Sequence, residues 1–406
     1  MTLSYNQYMQ RTAIHSGLGT RAMIPDLFQN MQAKRVVLFS DKGLKEAGIV
    51  DKIAELFSLT SYGTGPELAG VYLDIVQDAG SECVNAATRF AREVNADALL
   101  AVGGGSVLDT VKGVKYALFK GLTDIKTAIP GGLLIESWPE ATHMTIPHIS
   151  VPTTAGTGSE ASPIAVIYNE ELRLKTTMIN PFINADMAVL DPDLTTGLPA
   201  FITAFTGFDA LTHAIEALAS PNATPFTDAN ALHTIRLIEK HLPTVVENGQ
   251  DLEARLEMLQ ASTMGITAFS YSLNAIPVHN LAHAYGALFR IPHGLANAVF
   301  LPIVIESLTD LYLPKIVEFA QALQIETAGK DRQVLLKEVV QKIRDLQMKV
   351  GLPADFADYG IEEDYLEAAG MAVAMDPAAL AFSIPPEIIE QIGLKVIGAR
   401  KNVSST

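Results

Sequence analysis

The first half of the chain alternates short apolar runs with longer segments of helical periodicity. Compact apolar runs occupy 35–40 (RVVLFS), 98–102 (ALLAV), 145–151 (TIPHISV) and 187–190 (MAVL). Runs this short, bounded by Gly, Pro, Asp or Ser, predict strands of a largely parallel sheet with both faces covered. Between them, 43–57, 71–94 and 107–118 repeat apolar residues at the three-to-four spacing of an amphipathic helix. The texture changes after Asp191-Pro192. Helical periodicity then dominates at 203–219, 225–241, 251–268, 273–289, 294–308, 312–325, 332–349 and 362–374. The pattern predicts an open α/β domain over 1–195 and an all-α domain over 196–406, with Pro192 and Pro199 punctuating the junction. No internal repeat or low-complexity tract interrupts it.

Composition narrows the function classes. At about 150 residues per domain, 406 residues make two or three domains. With 49% apolar and 18% charged residues, the chain is globular rather than disordered. Lys+Arg number 29 against 45 Asp+Glu, a net charge of −16, and no basic run exceeds two residues. Nucleic acid and anionic membrane surfaces are therefore excluded as main partners, because both would repel the chain on approach. A single cysteine, Cys83, excludes an intrachain disulfide and a multi-thiolate zinc site, and is expected to be a small packed residue. The start, MTLSYNQYMQRT, lacks a basic-then-apolar leader pattern, and no stretch reaches the roughly 18 apolar residues of a membrane helix. The expectation is a soluble, cytoplasmic protein.

Two segments hold candidate metal ligands. In GFDALTHAIEAL, Asp209 and His213 are four apart and share one helix face. In VHNLAHAYGALFRIPHG, His279 and His283 are likewise four apart, and His293 follows between Pro292 and Gly294 at the expected start of another helix. The chain has nine histidines, and four of them fall in these segments. Imidazole and carboxylate suit a borderline divalent metal. A His-x-x-x-His pair also occurs in ordinary helix packing, and Asp209 alone could be a buried hydrogen-bonding acid. The order is not that of a zinc peptidase, and no Gly-x-Ser-x-Gly elbow is present.

A second constellation suits a dinucleotide. Gly103-Gly104-Gly105-Ser106 links a predicted strand to a predicted helix, where free N–H groups attract a pyrophosphate. The polar loop 152–160 (PTTAGTGSE) ends another strand, and two such loops on one parallel sheet face a shared crevice. Asp41 ends an early strand. A carboxylate there would accept from ribose hydroxyls and repel a 2′-phosphate, favouring NAD over NADP; as a turn residue before Lys42-Gly43 it would have a purely local role.

These segments together, GGGSVLD (103–109), PTTAGTGSE (152–160), GFDALTHAIEAL (207–218) and VHNLAHAYGALFRIPHGLAN (278–297), resemble the group III, iron-containing alcohol dehydrogenases. The likeness runs from about residue 10 to past 300 in the family's order and spacing. It implies a Rossmann-like dinucleotide-binding α/β domain, an all-α domain of the architecture shared with dehydroquinate synthase, and an active site between them. It implies metal ligands at Asp209, His213, His279 and His293, with His283 as a proton relay beside the nicotinamide. It assigns the pyrophosphate to Gly104, Gly105 and Ser106, the cofactor lining to Thr153, Thr154 and Ser162, and further cofactor positions to Asp109, Lys175 and Leu194. The implied reaction is hydride transfer between nicotinamide C4 and an alcohol or aldehyde whose oxygen is polarised by Fe(II), or by Zn(II), which the same ligands suit. A homo-oligomer, dimeric or larger, is also implied.

Two stretches depart from the family pattern. Gly65-Pro66-Glu67-Leu68 stands where a Pro-Asn-Pro type motif is usual, which puts a cofactor contact there in doubt. Ser270-Tyr271-Ser272-Leu273-Asn274 with Pro277 stands where a Phe-Ser-Asn pattern borders the substrate. The substrate stays open among short alcohols, diols, hydroxyaldehydes and longer or acidic aldehydes. The alternatives are a same-fold enzyme on a phosphorylated or acidic substrate, such as a glycerol-1-phosphate dehydrogenase or a dehydroquinate synthase-like lyase, and a relative that binds metal or nucleotide without catalysis. Phosphate would call for several basic residues, and near the proposed ligands only Arg290 is basic.

Overall fold

A computed structural model describes residues 6–59, 65–137, 139–172 and 174–398. The first five residues of the amino-terminal segment considered above lie outside these. Six parallel strands form the main sheet: β1 (Ala13–Ser16), β2 (Arg35–Phe39), β3 (Glu67–Tyr72), β4 (Ala98–Gly103), β6 (His148–Pro152) and β9 (Met187–Leu190), in the order β1-β9-β6-β4-β2-β3. Strand periodicity explains their continuous apolar runs. Val36, Leu38, Leu100 and Val102 pack into one core, while Val37, Phe39, Leu99 and Ala101 pack into another on the opposite face. The first core is covered by α1 (Ile24–Asn30) and α3 (Ile49–Leu59), which follows the short α2 (Lys42–Glu46). The second is covered by α4 (Ser81–Glu93) and α5 (Gly105–Lys120). A smaller sheet, in the order β5-β8-β7, joins β5 (Leu133–Ile135), β7 (Ile164–Asn169) and β8 (Leu174–Ile179).

Helices take over from Ala200. They are α6 (Ala200–Ala219), α7 (Pro225–Glu247), α8 (Leu252–Tyr271), α9 (Pro277–Phe289), α10 (His293–Ser307), α11 (Thr309–Tyr312), α12 (Ile316–Ala322), α13 (Arg332–Lys349), α14 (Leu366–Met375) and α15 (Pro386–Val396). One continuous apolar core joins most of them, with α6 and α10 buried nearly all round. Among the described residues, no single helix is long and apolar enough to cross a membrane.

The expected architecture, a parallel α/β part followed by a helical part, is what the chain adopts. Several elements differ from the sequence reading. The segment 71–94 is not one helix: its beginning belongs to β3, which adds to the sheet edge beside β2, and only α4 is helical. Pairing with β2 outweighs the helical spacing of that stretch. The segment 43–57 is broken at Gly48, whose φ of +76° ends α2 before α3 begins. Strands β1, β5, β7 and β8, and helices α1 and α15, have no counterpart in the expected elements. Cys83 is half-buried and packs against the core covered by α4 and α5, as a small packed residue would.

The sheet places the two polar loops side by side. Gly103 and Pro152 are paired at the carboxyl ends of β4 and β6, and Thr153 N donates to Gly103 O at 3.1 Å. The loop after β6 then lies against α8 through Gly158, which has φ +60°. A Cβ at Gly158 would lie 2.3 Å from Ile266 Cγ2 and 2.6 Å from Ser262 O. Positive φ and close approach both demand glycine. Gly158→Ala is expected to cost about 2–4 kcal/mol of stability, read as a lower urea midpoint at unchanged m-value. A loss below about 0.5 kcal/mol would show that the loop is not seated on α8.

Candidate active site

Helix α6 carries Asp209, His213 and Glu216 at i, i+4 and i+7, so all three project from one buried face. Helix α9 begins at Pro277 and places His279 in its first turn. Helix α10 begins at His293 itself. Gly294 permits this arrangement, because a Cβ there would lie 2.4 Å from Phe205 O on α6. Asp209, His213 and His279 each aim one ligand-type atom at a common point, all within 4.8 Å of one another. His293 joins them, with Nε2 at 3.6 Å from Asp209 Oδ1, the same oxygen that lies 3.7 Å from His279 Nε2. Asn297, one turn after His293, donates to Asp209 Oδ1 at 2.7 Å and has its amide nitrogen 3.4 Å from His279 Nε2 and 3.3 Å from His293 Nε2.

Glu216 is one of the residues that the sequence reading missed. Its carboxylate is fully buried and both oxygens are engaged: one accepts from Val278 N at 2.6 Å, the other from His279 Nδ1. It thus satisfies a free N–H of the first turn of α9 and orients the His279 ring, leaving Nε2 toward Asp209. Its place on the Asp209–His213 face was the available signal.

The electrostatics separate the four groups. Burial pushes His213 down to about 3, only partly opposed by Asp209. Burial likewise holds His293 well below the usual imidazole range. Burial also acts against a charged His279, but the Glu216 carboxylate and hydrogen bonds to Asp209 and Glu216 overcome it and lift His279 to about 9. For Asp209, burial favours the acid, yet the surrounding imidazoles keep it well below the carboxylate range. His213 and His293, neutral beside the ionised Asp209, are in the forms that bind a divalent cation, whereas His279 gives up its proton when an ion binds. His213 Nδ1 and His293 Nδ1 are buried with no hydrogen-bond partner among the described residues. The donor set therefore fits a borderline divalent ion.

These residues form one wall of a cavity of about 500 Å³. The opposite side is lined by Gly105, Ser106, Asp109, Ser159, Ser162 and Lys175, so the helical cluster faces the first turn of α5 and the loop after β6. Gly104 is the residue preceding α5, and a Cβ on it would touch Thr154 at 3.4 Å. Thr153, the first residue of that loop, is buried, and Gly104, Thr153 and Thr154 lie behind the residues that line the cavity rather than among them. Asp109 accepts from Ser159 Oγ at 2.5 Å and from Val166 N at 3.0 Å, tying α5 to the loop and to β7. Lys175 is ion-paired with Asp78 at 2.9 Å. Asp41 and Leu194 do not line the cavity. Asp41 caps α2, accepting from Leu44 N at 2.9 Å, and Leu194 is 1% exposed in the core covered by α1 and α3.

His283 also faces the cavity, one turn beyond His279, its ring stacked 5.2 Å from His293. Its Nδ1 lies 3.2 Å from Asp376 Oδ2. Asp376 also caps the turn at Pro377–Leu380, which supplies Pro377, Ala378 and Leu380 to the cavity wall. Nothing local in the sequence links Asp376 to His283. Leu273, Asn274 and Ile276, in the stretch that departs from the family pattern, line the cavity as well.

Comparisons with known proteins identify the family. Residues 11–192 match the family described as iron-containing alcohol dehydrogenase, and residues 203–391 match the C-terminal region of the Fe-containing alcohol dehydrogenase family. Long-chain-alcohol dehydrogenase 1 of Geobacillus thermodenitrificans is 32% identical over 92% of this chain and 91% of its own length. The NAD-dependent methanol dehydrogenase of Bacillus methanolicus is 29% identical over 86% and 88% of the two chains. The crystal structure of a 1,3-propanediol oxidoreductase superposes with a TM-score of 0.89 at 29% identity, covering 97% of this chain and all (100%) of the other. With the two-part fold, the four converging side chains and these matches, the chain belongs to the iron-containing alcohol dehydrogenase family.

Proposed function

We propose that this oxidoreductase, acting on CH–OH groups, is an NAD-dependent, divalent-metal-dependent alcohol dehydrogenase and aldehyde reductase. The convergence of Asp209, His213, His279 and His293 on one cavity with Gly105 and Ser106 carries the reading. Those four residues would hold the ion, Fe(II) or alternatively Zn(II). The chemistry such an ion supplies when bound is Lewis-acid polarisation of an alcohol or carbonyl oxygen. The N–H groups at the start of α5, with Gly104, Gly105 and Ser106, bind the pyrophosphate. Thr153, Thr154, Ser162 and Lys175 position the rest of the cofactor against the metal cluster. Leu194 supports that side from the core beneath it. His283, with Nδ1 directed at Asp376, keeps Nε2 for taking the alcohol proton during oxidation and returning it during reduction. Asp41, at the carboxyl end of β2, accepts from the ribose and disfavours a 2′-phosphate. A phosphorylated substrate finds little support: Lys175, the one Lys or Arg lining the cavity among the described residues, is already paired with Asp78.

Three tests follow from these roles. His279→Ala is expected to lose bound metal and to drop kcat/KM by about 1,000-fold or more, whereas His283→Ala keeps the metal and slows kcat by about 100-fold or more; metal content measured beside turnover discriminates them, and an empty site in His283→Ala would reverse the assignment. Glu216→Gln is expected to weaken metal affinity by about 10–100-fold, measured by chelator competition, with the fold retained. Asp41→Ser retains an α2 cap and removes the charge, so the NADP/NAD ratio of kcat/KM should rise; an unchanged ratio would leave Asp41 with its capping role alone.

A further inference from the structure

The cavity beyond the metal cluster is apolar. Phe269 lies against the imidazoles themselves, its ring 4.9 Å from His213 and 4.8 Å from His279. Leu273 and Ile276 continue that wall from the end of α8 to the start of α9, and Pro377 and Leu380 form the wall beside His283. Leu380 is 79% exposed and Ile135 on β5 is 60% exposed, yet both line the cavity. The apolar lining therefore continues outward to the mouth.

The charged groups lining the cavity already have hydrogen-bond or ion-pair partners. Lys175 pairs with Asp78, Asp376 with His283 and with Ala378 N at 2.8 Å, and Asp109 with Ser159 and Val166 N. Asp209 is taken up by Asn297 and the imidazoles. Among the described residues lining the cavity, a substrate bearing a carboxylate, sulfonate or phosphate meets no unpaired Lys or Arg, and one bearing an ammonium meets no carboxylate without a partner already in place. Burying either charge unpaired carries a desolvation penalty that an alkyl group of the same shape does not incur.

We propose that the substrate is an uncharged alcohol or aldehyde with an apolar carbon chain lying along Phe269, Leu273, Ile276 and Leu380, and that its charged isosteres are rejected. This rests on the dehydrogenase reading above. The test measures kcat/KM with NAD+ on the metal-loaded full chain, using isosteric pairs: 3,3-dimethylbutan-1-ol against choline, and 4-methylpentan-1-ol against 4-hydroxybutyrate. The neutral member of each pair is expected to be preferred by about 100-fold or more. Along the straight-chain primary alcohols, each added methylene should raise kcat/KM about three- to fourfold until the chain reaches the mouth. Leu380→Lys should shift the 4-hydroxybutyrate to 4-methylpentan-1-ol ratio toward the anion by about tenfold. Charged members within about threefold of their isosteres, or rates indifferent to chain length, would overturn the proposal while the dehydrogenase reading stood. Failure to oxidise any alcohol, by protein shown separately to bind NAD and metal, would overturn both.

Discussion

Two buried carboxylates on one face of α6 organise the candidate site. Asp209 draws His279, His293 and Asn297 toward a single oxygen, and Glu216 holds the start of α9 through Val278 N and the His279 ring. An ionised carboxylate in a dry interior is costly unless every lone pair is used. Here the cost is offset by imidazole and amide partners brought from three helices. The same constraint fixes where those helices start: α10 begins at His293 because Gly294 lets it approach Phe205 closely, and α9 begins within reach of Glu216.

The sheet meets this cluster through its carboxyl-terminal edge. In a parallel arrangement all strands leave the sheet on one side, so the loops after β4 and β6 emerge together. Asp109 and Ser159 cross-link those loops to β7, and Gly158 seats the second loop on α8. The crevice is thus built between a rigid backbone cradle and a rigid imidazole cluster. His283 shares the Asp376 carboxylate with the turn at Pro377–Leu380, which joins the relay position to the apolar wall.

Much of this was legible along the chain. Continuous apolar runs at 98–102 and 187–190 marked buried parallel strands, and the four-residue spacing of Asp209 and His213 marked a common helix face. Other parts were hidden. The helical spacing read over 71–94 begins at Val71, yet Val71 and Tyr72 belong to the strand Glu67–Tyr72, which pairs with β2. Asp41 sits at a strand end, as a ribose-binding acid would, yet locally it caps α2. Leu194 stood at a position associated with the cofactor but is packed in the core.

The sequence by itself determined the fold class, the two polar loops and which side chains share a helix face, because these follow from local periodicity and turn chemistry. It also supplied the pattern that places the chain in its family. Only the tertiary structure decided that Glu216 holds His279, that Asp376 faces His283, and that Phe269, Leu273 and Leu380 line one cavity. Those pairings depend on the rotation and separation of helices distant in the chain. Close packing at positions such as Gly294 and Gly158 sets them, and no spacing within a single element encodes it.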